Sequence, residues 1–182
     1  MPYQEFIDYL DNADDGGFAA DVAAYLNDKV ANFHDVADYF SPRPDPDPDY
    51  FNEATVQGAM FLVLNEWSQG DDENEDHYLI RMEIFYRGGP QNAPYRADIW
   101  VTYDNDDDDP RNVVFELKTD FQPESVNADV GKLENNLDQD FNDFDLGYAA
   151  YIYDPENDGW CANIDAPMNE DVATIPIPVD IP

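Results

Sequence analysis

Apolar positions along the chain follow two periods, and the switches between them divide it into elements. Phe6, Ile7 and Leu10 open a helical face, Asp14 to Gly17 interrupts it, and Phe18, Val22, Tyr25, Leu26, Val30, Phe33, Val36 and Phe40 resume it. Residues 3 to 40 therefore predict amphipathic helices with one break. The alternating prolines between Pro42 and Asp49 forbid a helix and predict an extended link. Asn52 stands where a cap is needed, and Glu53 lies in the first turn of the next helix. Its apolar positions Val56, Met60, Phe61, Val63, Leu64 and Trp67 predict substantial burial. Beyond the charged loop Asp71 to Asp76, residues 78–87 predict a strand closed by Gly88-Gly89-Pro90.

Two more strands, Arg96 to Val101 and Val113 to Lys118, flank the acidic loop 104–110. A helix capped by Ser125 then keeps Val126, Val130, Leu133, Leu137 and Phe141 on one stripe and leaves Asp129 and Lys132 off it. Gly147 to Tyr153 predicts another strand, with Trp160 to Ile164 pairing back on it. The tail from Val172 to Pro182 alternates Ile, Val and Pro, which suits an edge strand or an extended arm. The order is helix, three strands, helix, strand, behind a helical prefix. It predicts an α/β fold with a mixed central sheet, an N-terminal helical extension with its link over 1–49, and a main domain over 50–182.

Chemistry concentrates between Tyr95 and Phe121. Alternation within a strand puts Glu116 and Lys118 on one face and Leu117 on the other. If the two runs pair as a hairpin, Asp98 reaches that same face. Two carboxylates and a lysine at the end of paired strands suit a hard divalent cation, with a cationic group ready for an anionic substrate. The plain alternative is an ion pair on a strand face. Lysine is scarce, however: the chain has three, and one of them is Lys118.

The formal net charge is −34 at pH 7, from 42 acids against 8 Lys and Arg. Such self-repulsion suits a surface solvated in concentrated salt. The composition resembles haloarchaeal and halophile-virus proteins, which implies a high-salt cytoplasm. The rival reading makes the acidic surface itself the function, a nucleic-acid mimic or a module that binds a protein partner. Six basic residues, Arg81, Arg87, Arg96, Arg111, Lys118 and Lys132, fall between positions 81 and 132, as expected of a phosphate-facing patch on an acidic body. The plain alternative pairs each with a neighbouring acid.

The strand order, with Asp98 opening the second strand, Glu116-Leu117-Lys118 closing the third and a carboxylate on the preceding helix, resembles the restriction-endonuclease-like PD-(D/E)XK nuclease superfamily over roughly residues 50 to 155. The resemblance implies an αβββαβ core and Mg2+-dependent (or Mn2+-dependent) hydrolysis of DNA. By it, Asp98 and Glu116 bind the metal, Lys118 assists the attacking water, and Glu53 completes the site, with Glu66 as the fallback. It also implies Lys132 near the site, and homodimers are common in the superfamily; from the basic cluster, Arg96 and Arg81 join Lys132 as candidates to face the substrate. One departure is Ala97, where the family usually has proline.

Other chemistries lose support. The single cysteine, Cys161, excludes an internal disulfide and a Cys-based zinc site, and His34 and His77 lie far apart. No phosphate-cradling Gly-rich loop or nucleophile elbow occurs. Asp154 to Asp165 matches parts of an EF-hand spacing, but a hairpin turn is the favoured reading there. No apolar run is long enough to span a membrane and no leader is evident, so a soluble intracellular protein is expected.

Overall fold

The computed structural model describes residues 3–28, 52–69, 78–86, 95–104, 110–137 and 144–180. The predicted continuation of the second helix to Phe40, the 42–49 link, the 49/50 boundary, the acidic loops, the 88–90 turn and both histidines lie outside those residues.

Among the described residues, five strands lie in chain order across one mixed sheet. They are β1 (Tyr78–Tyr86), β2 (Tyr95–Tyr103), β3 (Arg111–Lys118), β4 (Leu146–Tyr153) and β5 (Val172–Pro178). The first three form an antiparallel meander, whereas β3, β4 and β5 run parallel. Parallel neighbours need a crossover, and α4 (Pro123–Leu137) supplies it between β3 and β4. Gly147 lets that helix come close, since a Cβ there would stand 3.1 Å from a Leu133 side-chain carbon.

Alternation along the strands builds two apolar layers. Ile99, Val101, Val113, Phe115, Leu117, Ala150 and Ile177 face α1 (Tyr3–Asp11), α2 (residues 18–28) and α3 (Glu53–Gln69). Trp100, Val114, Ala149 and Tyr151 face α4, with Val126, Val130 and Leu133. The predicted α/β class and the order of its elements are observed. The N-terminal helices share the first layer: Phe6 meets Trp67 at 5.1 Å, Tyr9 stacks on Trp67 at 5.2 Å and Phe18 meets Phe115 at 5.9 Å.

Three local expectations change. Residues 160–164 form no strand; Cys161–Asn163 is a 3-10 turn, because β3 and β5 already occupy both sides of β4. Trp160 packs instead against Tyr151 and Phe121. The Asp154 segment is thus a turn leading to that 3-10 element, where Asp154 accepts the Glu156 and Asn157 N–H groups, and not a hairpin. Ser125 is not the cap of α4. Pro123 takes the first helical position, where no N–H is needed, and the Gln122 carbonyl accepts the Ser125 and Val126 N–H groups. The tail does form an edge strand, β5, with Pro176 and Pro178 at a border that tolerates a missing donor.

Candidate active site

The β2–β3 ladder ends at Ile99 and Phe115, so Asp98 and Glu116 are the next facing positions. There Asp98 Oδ2 accepts the Leu117 N–H at 2.6 Å. On β3, Leu117 joins the layer under α3, while Glu116 and Lys118 turn to the α4 side, as alternation predicts. Glu116 Oε2 stands 2.6 Å from Lys132 Nζ. Lys118 Nζ stands 3.1 Å from Asp129 Oδ2 and donates to the Leu117 carbonyl oxygen at 3.1 Å. The Lys118–Asp129 contact is an ion pair whose alignment leaves Oδ2 short of a full hydrogen bond. Asp129 and Lys132, three residues apart on α4, present to one side.

Burial governs the electrostatics. Asp98 is 5% exposed and Glu116 2%. Desolvation pushes the Asp98 carboxyl up to about 6; the Leu117 N–H and Lys118 oppose this, and Glu53 and Asp129 add to it. Desolvation pushes Glu116 up to about 7 against the pull of Lys132, with Asp129 and Asp98 repelling it further. Asp129 is raised as well, because its burial outweighs Lys118. Burial alone would lower the Lys118 ammonium, but Asp129, Glu53 and Asp98 together carry it upward. The cluster is short of positive charge.

Glu53 is the first residue of α3, exposed, behind the Asn52 cap that accepts the Thr55 N–H at 3.0 Å. Its charge reaches both Asp98 and Lys118. Glu66 is exposed roughly 20 Å further along the same helix. One turn after Glu53, buried Gln57 donates to the Asp98 carbonyl oxygen at 2.7 Å and to Glu83 Oε1 at 2.9 Å. Glu83 has a left-handed backbone, φ 59°, opposite Asp98 on β1.

The basic residues divide. Lys118 and Lys132 enter the site, and Arg96 adjoins it through a 2.6 Å pair with Glu83. Arg81 leans away toward Thr102, and Arg111 pairs with Asp145 at the far end of β3. Arg87 lies outside the described residues. Reasoning from sequence left out Asp129, Gln57 and Glu83. The first was visible as a polar position three before Lys132, and the second as the position four after Glu53. Nothing in the chain signals the backbone of Glu83.

Among the described residues no group of three or more His, Cys, Asp and Glu side chains is spaced to hold a metal ion. Asp98 and Glu116 would supply oxygen donors of the kind Mg2+ takes, and a cation beside them would offset the burial and repulsion that raise both carboxyls. No protein-family model matches the chain, and no curated protein matches it.

Proposed function

We propose that this protein is a Mg2+-dependent phosphodiesterase acting on DNA, built on a restriction-endonuclease-like core. The observation that carries the reading is the juxtaposition of Asp98 and Glu116 at the end of the β2–β3 ladder, with Lys118 on the same face. The order α3, β1, β2, β3, α4, β4 supports it. Asp98 and Glu116 would hold the cation, which supplies a polarised water and charge neutralisation at the phosphorus. Lys118, held by Asp129 and the Leu117 carbonyl, keeps an ammonium at a fixed place to orient the attacking water and to offset charge developing on the phosphoryl oxygens. Glu53 at the rim is an auxiliary ligand or base. Burial of the two carboxylates keeps bulk water from screening these charges.

The test incubates plasmid and linear DNA with the protein and Mg2+ or Mn2+ in molar KCl. The wild type is expected to cleave, and Lys118→Ala to lose about 100-fold or more. A wild type that leaves both DNAs intact under every condition refutes the reading. A second reading draws on the charge of −34, which repels a polyanion. It makes the chain a non-catalytic acidic protein that binds a protein partner, and it predicts that Lys118→Ala leaves partner capture unchanged.

A further inference from the structure

The two lysines of the site are held differently. Lys118 Nζ is gripped by Asp129 and by the Leu117 carbonyl oxygen, both at 3.1 Å. Lys132 reaches in from α4 and sets its Nζ 2.6 Å from Oε2 of Glu116, one of the two carboxylates offered to the cation. Mg2+ coordinates an oxygen at about 2.0–2.1 Å. An ammonium already on that carboxylate competes for the same charge and repels the incoming ion.

We infer that Lys132 is the built-in counter-ion of the metal-free site, that a divalent cation displaces it from Glu116, and that the freed ammonium then takes a phosphate oxygen of the substrate. This deepens the phosphodiesterase reading and rests on it. Counting charges gives the order of events. When all of them are ionised, Asp98, Glu116 and Asp129 outnumber Lys118 and Lys132 by one charge, and the buried cluster then repels a phosphodiester. A divalent ion turns that excess positive. Glu53, exposed at the rim, is solvated and counts for less. The cation binds first and the phosphate second. Lys132 can make the exchange because its side chain is 17% exposed on a flexible stem, whereas the Glu116 side chain is 3% exposed and fixed in β3.

With only three lysines in the chain, the ammonium groups can be followed one by one. The wild type, labelled with 15N-lysine, is titrated with Mg2+ in molar KCl, and lysine NH3+ resonances are read by NMR. The Lys132 signal is expected to shift on saturation. In parallel, Mn2+ affinity and the affinity of the Mn2+-loaded protein for dimethyl phosphate are measured for wild type and Lys132→Met. The variant is expected to bind Mn2+ about tenfold tighter and dimethyl phosphate several-fold weaker, opposite signs that a merely structural lysine would not give. Equal or weaker Mn2+ binding by the variant, or a Lys132 signal unmoved at saturating Mg2+, overturns the exchange while leaving metal-dependent hydrolysis standing. If the wild type binds neither ion, both readings fall. Should Lys132→Met not fold, the wild-type titration decides alone.

Discussion

Burial and like-charge crowding act on Asp98 and Glu116 in the same direction, and the consequence is a pH dependence with a definite sign. Both carboxyls hold their protons more tightly in the folded chain than in the unfolded one, up to about 6 and about 7. Their contribution to stability is therefore full below about pH 4, declines as pH rises, and is gone above about pH 7, on the order of 2 kcal/mol each. Urea unfolding of the metal-free protein in molar KCl is expected to show this fall. Glu116→Gln should reduce the fall by roughly half, with Asp98 supplying the rest, and parallel profiles would refute the Glu116 shift. Saturating Mg2+ should flatten it. At this scale alternation was enough to read Glu116 and Lys118 onto one face. Asp129 escaped because knowing its side of α4 does not say which strand residue it will meet; that depends on the crossover from β3 to β4.

The elements were legible where one signal acted alone. Asn52 before an apolar run read as a cap, and the structure uses it so, with both the N–H and the hydroxyl of Thr55 on its side-chain oxygen. Asn52→Ala is expected to cost about 1 kcal/mol, measured as a lower midpoint of urea unfolding. No change would mean that packing alone fixes the start of α3. Where two signals competed, the reading failed. Ser125 and Pro123 both mark helix starts, and proline, with no N–H to satisfy, took the earlier position. Trp160 to Ile164 has strand composition, but its pairing depended on a free edge of β4 that β5 had taken. The distant β5 could not be weighed against it by local pattern.

At the scale of the molecule, layering followed from the periodicities, but the place of the N-terminal helices did not. Phe6, Leu10, Phe18, Val22 and Leu26 lie in the same apolar cluster as Phe115 and Ile177, contacts too remote in sequence for spacing to reveal. The chain carries a net charge of −34, whose mutual repulsion weakens with ionic strength. The melting temperature is expected to rise by roughly 10 °C between about 0.1 M and molar KCl, read by calorimetry. A flat or falling curve would count against adaptation to concentrated salt. The same screening removes the force that keeps copies of the molecule apart, since at about 1 M the Debye length is only about 3 Å. Each border of the sheet then becomes a template on which another chain could grow. Pro176 and Pro178 withhold donors along one border, and the left-handed Glu83 breaks the run of the other. Solubility in brine would thus rest on backbone geometry that no amount of dissolved ion can neutralise.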